Sequence, residues 1–193
     1  AASSTSVSSV DADQSQASTS GSTQTSQTTN SSAATSDNTV TTVNTDITIT
    51  ADQAIKAYQE AYPNTSVTSL DLDTSFGAYY YEVKGMDDSV EYEVKVNAKT
   101  GDLTKEKEER LDSDEQNGVE RNNEKLDLTG IMSIDEAAAI AVKTVGQGEA
   151  IEWSLERELS TTYWEVKVQN GRSETSVKLD AKTGDILETE LDD

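Results

Sequence analysis

Hydrophobic and polar positions follow one another in the same order twice along this chain. Ala51, Ala54, Ile55, Tyr58 and Tyr62 recur every three or four residues and predict a helix over 51–61, stopped before Pro63. Ile134, Ala137, Ala138, Ala141, Val142 and Val145 predict a second helix over 134–145, ending at Gly146. Each opens on a capping box, Thr50 with Gln53 and Ser133 with Glu136, whose side chains satisfy backbone N–H groups that the first turn leaves without partners. After each helix the period drops from 3.6 to 2, the mark of strands. Thr68, Leu70 and Leu72 alternate with Ser69, Asp71 and Asp73, as Ile151, Trp153 and Leu155 alternate with Glu152, Ser154 and Glu156. The next strand turns Tyr79, Tyr81 and Val83 inward, matched by Thr162, Trp164 and Val166. A third turns in Val90, Tyr92, Val94 and Val96, matched by Thr175, Val177 and Leu179. Asn170-Gly171 reads as a hairpin turn with both residues at positive φ, and Asp87-Asp88 stands at the same place in the first copy. Turns at Thr100-Gly101 and Thr183-Gly184 lead into last short strands from Leu103 and Ile186.

The matching is positional as well as ordered. Thr50 and Ser133, Tyr81 and Trp164, and Asn97 and Asp180 each stand 83 residues apart, so one small unit is duplicated without net insertion. The pattern predicts an α+β protein: two tandem copies of one helix on a three- to four-stranded antiparallel sheet, over 46–111 and 130–193. Residues 112–129 are polar, contain Gly118 and show no sustained apolar period, which reads as an acidic linker. At about 60 residues apiece the copies are small enough that packing on each other would help both.

Composition adds a third segment. Residues 1–45 hold 24 Ser or Thr and four Gln, with no Lys, Arg, Pro or aromatic residue. Such a stretch cannot bury enough apolar area to offset about 1–2 kcal/mol of backbone entropy per residue, so it is expected to be a disordered tether. Only Asp11, Asp13 and Asp37 of the charge lie there, so of the formal −22 the two copies and their linker carry −22 + 3 = −19. A surface of that sign repels nucleic acid and anionic membranes. No run is long and apolar enough to span a bilayer. A Ser/Thr-rich spacer ahead of two acidic units fits an exported protein held at an envelope, with a lipid anchor upstream.

These residues resemble the PepSY family. The likeness covers nearly all of 47–110 and 130–191. It rests on the helix openings Asp52-Gln53-Ala54 and Asp135-Glu136-Ala137, the strands Tyr81-Glu82-Val83 and Trp164-Glu165-Val166, and the turns ending Asn97-Ala98-Lys99-Thr100-Gly101-Asp102 and Asp180-Ala181-Lys182-Thr183-Gly184-Asp185. The resemblance implies a cystatin-like shape. It also implies an extracellular, cell-surface setting, as in lipoproteins of Gram-positive bacteria and propeptides of thermolysin-type metallopeptidases. A peptidase-inhibiting or peptidase-regulating role has been proposed for the family, which has no catalytic motif to carry over.

Zero His and zero Cys exclude the Ser-His and Cys-His nucleophile pairs, His-based zinc sites and thiol chemistry. No Gly-rich phosphate loop occurs, and no cofactor is implied. Only carboxylates could act as acids or bases, and no pair among the 37 acidic residues stands out, so no catalytic residue is assigned. Calcium is a further chemical option: Asp71 with Asp73, Asp87 with Asp88, Asp112 with Asp114 and Glu115, and Asp192 with Asp193 offer hard oxygen ligands, without the spacing of a calcium-binding loop. The alternation leaves one repeated stripe on the outer side, Tyr80, Glu82 and Lys84 in the first copy and Tyr163, Glu165 and Lys167 in the second. Tyrosine's broad ring and polar tip suit protein recognition. The expectation is a non-catalytic extracellular module that binds an envelope or secreted protein, such as a peptidase, through this stripe or an exposed edge strand. The alternative is an acidic surface spacer or weak calcium-binding element without a specific partner. Trp153 and Trp164 fall on the inward alternation and are expected in the core.

Overall fold

The computed structural model describes residues 44–192, so nearly all of the predicted tether lies outside the described residues. Both helices form where the apolar period and capping boxes put them, α1 over Ala51–Ala61 and a longer-chain equivalent, α3, over Ile134–Val145. Thr50 and Ser133 each accept the N–H of the residue three positions on, and Gln53 and Glu136 reach back to the N-cap amide. Strands β1 (Ser66–Ser75), β2 (Ala78–Met86), β3 (Val90–Asn97) and β4 (Leu103–Arg110) follow α1. Strands β5 (Glu149–Glu158), β6 (Thr161–Asn170), β7 (Ser173–Asp180) and β8 (Ile186–Asp192) follow α3.

Each copy supplies four strands, but the picture of one small sheet per copy needs correction. All eight form one antiparallel sheet in the order β4-β3-β2-β1-β5-β6-β7-β8. The seam is a short ladder of three pairs: Leu70 with Leu155, Asp71 with Ser154, and Leu72 with Trp153. Asp71 and Ser154 are 83 residues apart, and Leu70 and Leu72 have Trp153 and Leu155 as their counterparts. The ladder is therefore its own image, and a local two-fold axis runs through the Asp71–Ser154 pair. The inward residues of both copies then form a single core beneath α1 and α3, including Leu70, Leu72, Tyr81, Val83, Val94 and Val96 with Leu155, Trp164, Val166, Val177 and Leu179. Trp153 and Trp164 both belong to it, with their indole N–H groups donating to the carbonyls of Ile134 and Met132.

Two local readings shift. Ile151 is only half-buried because a bulge between Ala150 and Glu152 turns Ala150 inward, and β1 carries the equivalent bulge between Val67 and Ser69. In the β6–β7 hairpin Asn170 is the last ladder residue, paired with Ser173, and the two-residue loop is Gly171-Arg172. Only Gly171, at φ +65°, needs the left-handed region, the requirement of a II′ rather than a I′ turn. Both positive-φ requirements of a I′ turn are instead met in the β1–β2 hairpin by Phe76 at +52° and Gly77 at +81°.

The segment between the copies is packed. It contains a short helix, α2 (Val119–Glu124), and Leu126 enters the core while its N–H donates to the carbonyl of Val67 at 2.9 Å. Arg121 holds α2 against the first copy through the Ser66 hydroxyl, the Asn64 carbonyl and Asp88. Arg157 of the second copy donates to the carbonyls of Asn122 and Lys125.

Candidate functional site

Helices α1 and α3 cover one side of the sheet, and the alternation that aims Leu70, Val83, Val166 and Val177 inward aims every second residue at the other. On that side, across the two-fold axis, runs a groove of about 620 Å³ lined by residues of both copies. Asp71, Asp73, Glu82, Glu152, Glu165 and Asp192 dominate its lining, with Lys95 and Lys167 among them. At its centre the Ser154 hydroxyl donates to Asp71 Oδ1 at 2.6 Å. Strand alternation alone reads Asp71 as a solvated outer residue; the seam makes it a half-buried one, because β5 lies directly beside it.

The predicted stripe lies on this face in both copies, with its members in different states. Tyr80, Glu82 and Lys84 are half-buried, and Tyr80, Glu82, Glu165 and Lys167 line the groove. Lys84 pairs instead with Glu82 and Glu93, on the copy's own strands. Tyr163 lies on the same side but is only 7% exposed, its hydroxyl donating to Glu156 at 2.9 Å. Lys178 Nζ sits 4.5 Å from the centre of its ring, and the equivalent Lys95 sits 5.1 Å from that of Tyr80. Both aromatic faces are thus already engaged by a lysine of the next strand. Lys167 on β6 forms ion pairs with Glu152, Glu174 and Asp192, tying all four strands of the second copy together.

The acidic clusters are likewise in use. Asp87 accepts from the N–H groups of Ser89 and Val90 and from the Tyr92 hydroxyl, closing the β2–β3 turn, and Asp88 pairs with Arg121. Glu115 accepts from the N–H of Asp112. Among the described residues no three acidic side chains converge as a group able to hold a metal ion.

Crowded carboxylates on a face partly closed to water titrate abnormally. Burial, with Glu156 and Glu82 adding to it, holds the Asp71 carboxyl above its ordinary range against the opposing Ser154 hydrogen bond. Burial likewise raises Glu93, Glu152 and Glu165, and on α2 burial and then Glu120 push Glu124 up to about 7. In the other direction, the Lys182 hydrogen bond draws Asp127 down to about 2, and backbone N–H groups of Thr183 and Lys182 lower Asp180. A raised carboxyl binds its proton more tightly in the folded chain, so its contribution is present at low pH and lost as pH rises through the folded value. A lowered one contributes above its unfolded value, about 4, and is lost as pH falls below that. Glu124, raised to about 7, takes up its proton between pH 7 and pH 5. The thermal midpoint is therefore expected to rise on acidification from pH 7 to pH 5, and Glu124→Gln to flatten that slope. Calorimetric scans that show the midpoint falling over this interval would contradict the assignment.

Comparison with known proteins bears on the whole described region. The profile of the PepSY family, the peptidase propeptide and YPEB domain, matches residues 48–107 and 131–190. The crystal structure of a candidate lipoprotein from Clostridium difficile 630 is similar at 34% identity with a TM-score of 0.71, over 76% of this chain and 95% of that one. Comparison with curated protein sequences gives no match.

Proposed function

The chain belongs to the PepSY family, and from that premise we propose that it is a non-catalytic, extracellular protein-binding module, held at the cell surface, that regulates an envelope peptidase through the open face of its sheet. The observation that carries this is the groove on the two-fold axis, which exists only because both copies share one sheet and which no helix of the described chain covers. Its acidic lining favours a basic partner surface and gives the encounter an ionic-strength dependence. The family's description as a peptidase propeptide supports a peptidase as partner, and the similar candidate lipoprotein supports a surface setting. The absence of His and Cys from the sequence fits binding rather than acyl-transfer chemistry.

The test is affinity capture of envelope proteins with the full chain as bait, beside a Tyr80→Ala/Glu82→Lys/Glu165→Lys variant that keeps the core unchanged. The parent is expected to retain a peptidase, with retention weakened by salt, and the variant to lose it. Equal retention by both baits would remove the open face from the reading. Capture of no specific protein by the parent would favour the acidic spacer instead.

A further inference from the structure

The two copies end on equivalent edge strands that are built in opposite ways. Beyond Leu103, β4 presents Lys105, Lys107 and Arg110 interspersed with Glu106, Glu108 and Glu109. Lys107 pairs with Glu91 and Glu109, and Lys105 lies over the ring of Tyr62 at 4.6 Å. Mixed charge of this kind blunts an edge against further pairing. In β8, Glu188 and Glu190 stand where β4 has Lys105 and Lys107, and Leu191 stands where it has Glu108. Of the six large apolar side chains exposed among the described residues, three lie in this one short strand: Ile186 at 42%, Leu187 at 49% and Leu191 at 63%.

Register places the two kinds of side chain on opposite faces. Ile186, Thr189 and Leu191 pair with Leu179, Val177 and Thr175, the inward row of β7, so they continue the core past the last strand. Glu188, Glu190 and Asp192 pair with Lys178, Ser176 and Glu174 on the outer row. Among the described residues no strand lies beyond β8 in the sheet order, which leaves one row of its backbone N–H and C=O groups without a ladder partner there.

We propose that β8 is a docking strand, taking up an extended segment of a partner protein in which basic residues alternate with apolar ones. An added strand places residues of like parity on the same face. Its apolar set would cover Ile186 and Leu191, and its basic set would stand beside Glu188, Glu190 and Asp192. A second copy of this chain is a poor occupant, because β8 against β8 sets acid against acid. The proposal rests on the binding-module reading and adds the edge and the pattern of the segment bound there.

The test uses an end-blocked heptapeptide alternating Lys and Val, added to the full chain, with amide hydrogen exchange followed along the sheet. Saturable protection over residues 186–192 and none over 103–110 is expected. Leu187→Lys/Leu191→Lys, which alters only exposed positions, is expected to weaken binding at least about tenfold through lost apolar burial and added repulsion of the basic peptide. A Lys/Ser alternating peptide is expected to bind at least about tenfold more weakly than the Lys/Val one. Equal affinity for the two peptides would reduce the effect to charge attraction and overturn the proposal. Protection confined to the groove around Glu82 and Glu165 would also overturn it while leaving the open-face reading intact. Protection of β8 that appears without peptide, together with a concentration-dependent dimer in sedimentation, would name a second copy as occupant and overturn it too. Because the probe is a defined peptide, failure of envelope capture does not decide the result.

Discussion

Tyr58→Ala and Gly85→Val are each expected to cost several kcal/mol of stability, and the double variant to lose less than their sum by about 2 kcal/mol or more. Tyr58 on α1 is fully buried, and its hydroxyl end occupies the space above Gly85 of β2: a Cβ there would come within 2.2 Å of the hydroxyl oxygen. No side chain fits at residue 85 while the tyrosine stays. In the second copy the same two positions are Ala141 on α3 and Val168 on β6, both buried. The copies have divided the same space in opposite ways, the first giving it to the helix and the second to the sheet. Removing the ring alone leaves a cavity of aromatic size, for which about 3–5 kcal/mol is typical. Adding valine alone forces the ring away. Making both changes reproduces the second copy's arrangement, with a residual cost because the Ser66 carbonyl would lie 2.5 Å from the new Cβ. Chemical denaturation of the four proteins in the cycle measures the coupling. Additive losses would show that the two positions do not share one packing problem.

Trp164→Ala carries the second large effect, about 3–5 kcal/mol from the transfer and cavity terms together. Against a typical total of about 5–15 kcal/mol, that removes much of the stability of the fold. The indole is the largest fully buried side chain, and its N–H donates to the Met132 carbonyl at 3.1 Å, which the truncation strips of that donor in a place water reaches poorly. The more telling outcome is where the loss is felt. Because the sheet runs unbroken through the β1–β5 seam and the core is common to both copies, amides of β2 and β3 in the first copy are expected to lose protection together with those of β6 and β7. Hydrogen exchange that stays slow in the first copy while the second opens would mean that the copies are independent folding units.

The bulk that Trp164 supplies also shows how one fold accommodates two compositions. Its counterpart in the first copy is Tyr81, and that of Trp153 is Leu70, so the sheet of the second copy is the heavier one. Its helix is correspondingly light: Ala138, Ala141 and Val145 stand where α1 and its cap have Ile55, Tyr58 and Tyr62. The first copy instead fills its end with tyrosines, the rings of Tyr58 and Tyr62 being 5.6 Å apart and those of Tyr62 and Tyr92 4.3 Å.

Much of this was legible in the residues. Capping boxes, Pro63 and Gly146 act on the nearest turn of backbone, so the two helices could be placed to the residue. Alternation is equally local, and it assigned Trp153, Trp164, Leu70 and Val177 to the core and Tyr80, Glu82 and Lys84 to the outer side. The bulges at Val67 and Ala150 were not legible, since an extra residue in a strand shows only against its partner. For the same reason the cover that Lys178 gives Tyr163 could not be read: both residues look outward, and only the β6–β7 register sets one over the other.

The sequence by itself determined that there are two copies, which elements each contains, and which face of each element is apolar, because helix period, strand period and end caps are written in neighbouring side chains. Only the tertiary structure decided that β1 and β5 join the copies into one sheet, that Asp71 therefore lies at the centre of a groove, and that β4 and β8 are the edges left over. Strand pairing between distant segments is made by backbone groups that are the same at every residue, so the choice of neighbour leaves no signature in the residues and is settled by which arrangement buries both apolar faces together.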